Sequence, residues 1–170
     1  MSPAARRPRW SKVRALITDV DGVLTDGGLY YAENGDELKR FDVRDGQGLV
    51  LLREAGLLTA IVTRKQTTIV TRRALELGIT EVHQNVTDKG ATVAAFAALH
   101  HLAPAAICYV GDDLGDLPAM GLVGLSVAVA DAVREVRRAA AYVTRAHAGH
   151  GAIREVCDLI LAARTRRRGS

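Results

Sequence analysis

No stretch of the 170-residue sequence approaches the roughly 18 consecutive apolar residues that a helical membrane span needs, so no membrane partner is expected. Cysteine is almost absent as well. The two present, Cys108 and Cys157, lie inside apolar patterns and read as buried small hydrophobes, not as a disulfide or a metal pair, which fits a reducing compartment. His147 and His150 have no Cys or His partner at zinc spacing nearby, so they read as loop residues and not as zinc ligands. Residues 1–12 contain no apolar segment of the kind a secretory signal requires, and a cytoplasmic protein is expected. Internal repeats are missing, as is low-complexity sequence outside the Arg-rich ends.

Acids are also missing from both ends, which decides what the overall charge means. Arg6, Arg7, Arg9 and Lys12 at one end and Arg164, Arg166, Arg167 and Arg168 at the other outweigh the net charge of +4, so residues 13–163 carry about −4. The isoelectric point of 9.4 is therefore a property of the ends, and a nucleic-acid partner for the fold itself is not expected. A hydrophobic fraction of 48% with 25% charged residues suits one soluble domain with a sizeable core. We expect that domain at 13–163, between a disordered basic tail at 1–12 and a second basic tail at 164–170.

The stretch Asp19-Val20-Asp21-Gly22-Val23-Leu24-Thr25-Asp26-Gly27 follows the apolar run Ala15-Leu16-Ile17, where a buried strand should end. Two carboxylates two residues apart, where a strand breaks into a Gly-containing loop, can converge on one small site. Asp and Gly also end strands for local reasons, through side-chain turns and tolerance of positive φ. Downstream, the runs at 57–62, 106–110 and 124–129 have the continuous hydrophobicity of strands buried on both faces, with shorter strands at 81–84 and 142–144. Helical patterns lie at 47–55, at 69–77 with Gly78 as C-cap, at 89–101, near Leu117, at 132–140 and at 152–163. Asn34-Gly35, both of which tolerate φ > 0, predicts a hairpin that pairs 28–32 with 36–41. The alternation gives an α/β fold: a Rossmann-like, doubly wound parallel sheet with helices on both faces and a small β-hairpin cap insertion at 28–41. Ligands of such sheets bind at the carboxyl ends of the strands, which gathers Asp19, Asp21, Thr63 and Gly111-Asp112-Asp113 on one edge.

With these residues in place, the sequence resembles the haloacid dehalogenase superfamily. Residues 19–25 match its signature Asp-x-Asp-Gly-[Val/Thr]-[Leu/Ile]-[Thr/Ser], and Thr25-Asp26-Gly27-Gly28 continues it as in the minimal-cap phosphatases that act on 3-deoxy-D-manno-octulosonate 8-phosphate. The resemblance runs from about Ala15 to about Leu161. It implies a phosphoric monoester hydrolase acting on a phosphorylated sugar acid, with Asp19 as the nucleophile that becomes an aspartyl-phosphate and Asp21 as general acid, then base. A carboxylate attacking a phosphate is two anions meeting, so a divalent cation is close to obligatory. Asp19, Asp112 and the main-chain carbonyl of Asp21 form a hard-oxygen set that suits Mg²⁺ better than Zn²⁺. Thr63 and Lys89 stand where the family stabilises the transferring phosphoryl group. Asp113 lies near the metal by spacing, and Asp116 either orients Lys89 or touches substrate; capping of the short helix that follows is the alternative for both.

The same resemblance assigns the sugar acid to Asp42, Val43, Arg44, Asp45 and Gly46, with Arg44 able to fork onto a carboxylate, and adds Arg73 as a further substrate position. It also implies a homotetramer in which the hairpins meet and the segment 149–155 enters a neighbour's site, making His150 a substrate contact in trans. Three positions depart from the pattern. Thr63-Arg64-Lys65 replaces Thr-Gly-Arg, Val50 replaces an Arg, and Gly149-His150-Gly151 replaces Gly-Arg-Gly, all at positions that touch the sugar. A noncatalytic oligomerisation domain, like those fused to some sugar-acid cytidylyltransferases, is the competing reading, and the intact Asp19, Asp21, Lys89 and Asp112 set argues against it. A phosphorylated receiver domain would need neither the paired Asp nor the hairpin.

Overall fold

The apolar runs become strands with almost no exposed residue in them, which is the burial expected where helices cover both faces of a sheet. A computed structural model of the chain describes residues 8–168; residues 1–7, with Arg6 and Arg7, and residues 169–170 lie outside the described residues. In chain order the elements are β1 (Ala15–Thr18), the hairpin strands β2 (Tyr30–Tyr31) and β3 (Glu37–Leu38), α1 (Val43–Glu54), β4 (Leu58–Val62), α2 (Thr68–Leu77), β5 (Glu81–His83), α3 (Lys89–Leu99), β6 (Ile107–Gly111), α4 (Leu117–Leu122), β7 (Leu125–Ala128), α5 (Arg134–Ala139), β8 (Tyr142–Val143) and α6 (Ala152–Arg168). Short 3-10 turns occupy Trp10–Lys12, Pro104–Ala106 and Leu114–Asp116.

The main sheet has the order β5-β4-β1-β6-β7-β8 with every pairing parallel. Thr18 stands opposite Ile61 on one side and Val110 on the other, so β1, β4 and β6 end nearly level. Asp19, Thr63 and Asp112 follow directly from that register. Helices α1 and α6 pack on each other, and Gly48 is what lets them: a Cβ there would sit 3.1 Å from Cys157 Sγ. Ile153, Val156, Cys157 and Ile160 of α6 are fully buried, and burial of that kind is worth roughly 1.5–3 kcal/mol per large aliphatic side chain. Helix α6 is thus core, not appendage.

Three sequence expectations shift. Helix α1 starts at Val43, not at 47, because the Asp42 carboxylate accepts the Arg44 amide at 2.7 Å and caps the first turn. Two glycines and few apolar residues hid that turn. In the hairpin only Gly35 has positive φ, and the Gly35 amide donates to the Ala32 carbonyl, so the loop is an ordinary turn closed by a left-handed glycine, not one with positive φ at both Asn34 and Gly35. The described parts of the basic ends also carry structure. Trp10 packs edge-on against Tyr142 with centroids 5.1 Å apart, and α6 runs on to Arg168, with Arg164 donating to the Val13 carbonyl. An indole needs a surface to cover it, and the Trp10–Lys12 turn packs against α6.

Candidate active site

At the end of β1 the Asp19 amide still pairs with the Val110 carbonyl, and the chain then leaves the sheet in a tight loop. The buried Thr25 hydroxyl fastens this loop, accepting the Gly22 and Gly27 amides at 3.3 Å each and donating to the Val20 carbonyl. Gly22 has φ +78°, and a Cβ on it would lie 2.2 Å from Oδ2 of Asp112. The glycine of Asp-x-Asp-Gly-Val is therefore bracketed by two needs: the left-handed turn, and room for the carboxylate arriving from β6.

Asp19 accepts the Val20 amide on Oδ1 at 2.7 Å and the Lys89 ammonium on Oδ2 at 2.5 Å. Lys89 is the first residue of α3, whose start Asp88 caps by accepting the Ala91 amide, and its side chain is buried. The same ammonium donates to Asp116 Oδ1 at 2.6 Å. Asp116 is fully buried and saturated: Oδ1 also accepts the Tyr109 hydroxyl, and Oδ2 accepts the Asp112 and Asp113 amides. Asp116 thus holds the Lys89 ammonium and forms a reciprocal cap with Asp113.

Asp112 is different. Its Oδ1 is buried and has no hydrogen-bond partner among the described residues. One carboxylate oxygen from each of Asp19, Asp112 and Asp116 lies within 4.8 Å of the others. Burial, and after it the charges of Asp19 and Asp116, pushes the Asp112 carboxyl up to about 8. Burial likewise raises Asp19 to about 6, against the opposing pull of Lys89. For Lys89 burial disfavours the charge, but Asp19 and Asp116 more than offset it and hold its pKa above the ordinary lysine value. Three acids thus face one ammonium, with one carboxylate oxygen orphaned. A small divalent cation with oxygen ligands fits that arrangement. Since Asp116 is saturated by four donors, the oxygens left for it are those of Asp19 and Asp112, with the main-chain carbonyl of Asp21, to which no hydrogen bond is made among the described residues.

These residues share a cleft of about 190 Å³ lined by Asp19, Asp21, Thr63, Lys65, Lys89 and Asp112, with Arg64, Asp113, Gly115 and Asp116 completing it. Comparison with known proteins places this constellation. The family described as haloacid dehalogenase-like hydrolase matches residues 57–156. The 3-deoxy-D-manno-octulosonate 8-phosphate phosphatase KdsC of Yersinia pestis is 45% identical over 162 residues, spanning 95% of this chain and 87% of that protein. The chain belongs to the 3-deoxy-D-manno-octulosonate 8-phosphate phosphatase family of haloacid dehalogenase-like hydrolases. The Escherichia coli KdsC phosphatase is 47% identical over 151 residues, 89% of this chain and 80% of its own. A crystal structure of the phosphatase from Moraxella catarrhalis, in complex with magnesium ion, phosphate ion and KDO molecule, superposes with a TM-score of 0.91 at 35% identity, covering 95% of this chain and 92% of that one.

Not every residue assigned to this phosphatase family's substrate reaches the cleft. Arg44 and His150 line a separate groove with Gly151 and Arg154, and no residue lines both. Arg44 forks onto Asp42, with Nη2 at 2.8 Å from Oδ2, and Asp45 accepts the Gly151 and Arg154 amides, so Asp45 ties α1 to the start of α6. Val43 is 81% exposed. Arg73 lies over the Phe41 ring at 5.7 Å, pairs with Glu76, and fills the space that a side chain at Gly46 would need. Within one chain Arg73 and Gly46 therefore act as packing. Val50 is half-buried against the core.

Sequence reasoning missed two groups in and around the cleft. Lys39 of the hairpin hydrogen-bonds Oδ1 of Asp21 and lies 3.3 Å from Glu37, which Lys65 also approaches at 3.5 Å. Strand alternation puts Glu37 and Lys39 on one face and was the available signal. Tyr109 was read only as part of an apolar run, although it shares its strand face with Gly111, against which Asp116 packs.

Proposed function

We propose that this chain hydrolyses the phosphomonoester of a sugar acid, 3-deoxy-D-manno-octulosonate 8-phosphate or a related nonulosonate phosphate, with Mg²⁺ and through an aspartyl-phosphate. The observation that carries the reading is the pairing of Asp19 with a buried Lys89, beside an Asp112 oxygen that has no partner. Asp19, Asp112 and the Asp21 carbonyl would hold Mg²⁺, which would supply the positive charge that lets a carboxylate approach an anionic phosphoryl group.

Asp19 is the nucleophile. One of its oxygens bonds to phosphorus as the ester P–O bond breaks, and protonated Asp21 gives its proton to the departing alkoxide. Water then attacks the aspartyl-phosphate, the Asp21 carboxylate takes a proton from it, and the P–O bond to Asp19 breaks to release inorganic phosphate. Lys89 orients Asp19 and faces the phosphoryl oxygens, and the Thr63 hydroxyl lines the same cleft. The unpartnered Asp112 oxygen beside the buried Lys89–Asp19 pair favours this reading over a noncatalytic scaffold.

The cleft is smaller than the roughly 300–1,000 Å³ of pockets that enclose a whole small molecule, so it suits the phosphoryl end of the substrate and leaves the sugar acid to other walls. Arg64 and Lys65 at the mouth are the walls this chain supplies itself. A homotetramer supplies the rest: the hairpin exposes Leu29 at 57%, Tyr31 at 67% and Leu38 at 61%, apolar side chains that ask for a partner surface. Among the described residues no helix is long and apolar enough to cross a membrane, and we place the enzyme in the cytoplasm. The test is phosphate release from a panel of sugar-acid and sugar phosphates with Mg²⁺ or with a chelator. Release from an octulosonate or nonulosonate phosphate, lost on chelation and restored by Mg²⁺, is expected; no release from any of them overturns the reading.

A further inference from the structure

Lys39 is an unusual lysine for a surface hairpin. Its side chain is 2% exposed, and its ammonium hydrogen-bonds Oδ1 of Asp21 while lying 3.3 Å from Oε1 of Glu37. Lys65, from the loop after β4, approaches that same glutamate oxygen at 3.5 Å. A row of alternating charges, Asp21, Lys39, Glu37 and Lys65, thus runs from the catalytic loop across the hairpin to the opposite lip of the cleft. Burying an ammonium is costly unless anions pair with it, and here burial is the largest influence on Lys39, outweighed by Asp21 and Glu37. A lysine that merely pinned the hairpin to the body would be served by any carboxylate. This one ends on the carboxylate that moves the protons in the reaction proposed above.

The contact divides the two oxygens of Asp21. Oδ1 is engaged by Lys39, whereas no hydrogen bond to Oδ2 is made among the described residues, on a side chain that keeps 27% exposure and lines the cleft. We infer that Lys39 is a positioning residue: the hairpin delivers its ammonium to Oδ1 of Asp21 and thereby fixes the rotamer that aims Oδ2 at the leaving oxygen. The inference rests on the phosphatase reading and on the acid–base role of Asp21. In the first step the proton travels from Oδ2 to the ester oxygen as the P–O bond breaks, and Lys39 keeps all of its protons throughout. Cap placement and proton transfer are thereby coupled through one side chain, since a hairpin that moves takes Lys39 with it.

The experiment uses the full-length enzyme with two small substrates that carry no sugar, a simple alkyl phosphate and 4-nitrophenyl phosphate. An alkoxide needs a proton to leave and a nitrophenolate does not, so a misplaced acid slows the first and spares the second. Because kcat/KM reports the steps up to the first irreversible one, it reads formation of the aspartyl-phosphate. Lys39→Met should lower kcat/KM for the alkyl ester about tenfold or more, a part of the ~10²–10⁴-fold that a placed acid supplies, while 4-nitrophenyl phosphate changes less than about threefold. Lys39→Arg, which keeps charge and donors, should bring the ratio of the two esters back toward that of the parent. Should Lys39→Met fail to fold, Lys39→Gln carries the same selective loss. Equal losses for both esters, or no loss, overturn the inference. Asp21→Asn is run beside them: if it shows the selectivity and Lys39→Met does not, only the inference fails. A parent enzyme that releases phosphate from neither ester nor from any sugar-acid phosphate sinks the phosphatase reading instead.

Discussion

Asp19 has one oxygen held by a main-chain amide and the other by an ammonium, an arrangement that fixes the carboxylate without neutralising its reach to a phosphorus atom. Asp19→Asn keeps the size of the side chain and can accept the Lys89 proton through its amide oxygen, but it can neither attack phosphorus nor hold a metal as an anion. Turnover should be eliminated with the thermal unfolding midpoint little changed, and activity within tenfold of the parent would refute the nucleophile. Asp42 shows charge used for stability instead. The fork of Arg44, and then the Arg44 amide, hold its carboxyl at about 2, below the 3.8 of a free aspartate. A folded pKa below the unfolded one adds stability that is complete above the unfolded value and is lost as pH falls through the folded one. Asp42→Asn retains an N-cap oxygen and removes the charge. Denaturant unfolding should therefore find a parent-to-variant stability gap that is constant above about pH 5 and closes between about pH 4 and pH 2; a gap independent of pH would deny the ion pair any part in it.

At the scale of elements, the loops after β1 and β6 are built around each other, and Gly22 is where they touch. Gly22→Ala puts a methyl at φ +78°, a region that costs an ordinary residue about 1–2 kcal/mol, and 2.2 Å from the Asp112 carboxylate. The unfolding midpoint should drop, and the Mg²⁺ concentration for half-maximal activity should rise because Asp112 is displaced. A fall in stability with unchanged Mg²⁺ dependence would mean that the two loops yield independently. This half of the site was legible in the sequence, since Asp19, Thr63 and Asp112 each follow a run apolar enough to be a strand, and a parallel sheet aligns strand ends. The contacts of Lys39 were not. They join residues 18 apart across a two-residue strand, and nothing in Glu37-Leu38-Lys39-Arg40 says which body surface the hairpin will lie on. The start of α1 was hidden for a related reason: Val-Arg-Asp-Gly-Gln-Gly is a poor helix by propensity, and the Asp42 cap and the packing of Gly48 on α6 are what form it.

For the whole molecule, the arrangement of sites is itself an argument for assembly. Residues proposed for phosphoryl transfer line one cleft in one chain, whereas Arg44 and His150 line another groove, and the hairpin between them leaves Leu29, Tyr31 and Leu38 in water. The contact proposed for His150 is therefore with the substrate of a neighbouring chain. Removing residues 146–170 cannot test this, because α6 puts Ile153, Val156 and Ile160 in the core and the truncated chain would lose its fold. Point changes can. Tyr31→Lys with Leu38→Glu sets charges in place of two exposed apolar side chains of the hairpin, and His150→Ala removes the imidazole while sparing the backbone carbonyl that Arg44 approaches at 3.5 Å. Light scattering should find the parent as a tetramer and the hairpin variant as a smaller species. That species should still hydrolyse 4-nitrophenyl phosphate, for which one chain holds every reacting group, yet lose kcat/KM for the sugar-acid phosphate. His150→Ala should remain tetrameric and raise KM for the sugar-acid phosphate alone. A parent that is monomeric and fully active refutes the assembly; a tetramer whose His150→Ala variant keeps its KM leaves the hairpin interface standing and removes only the contact in trans.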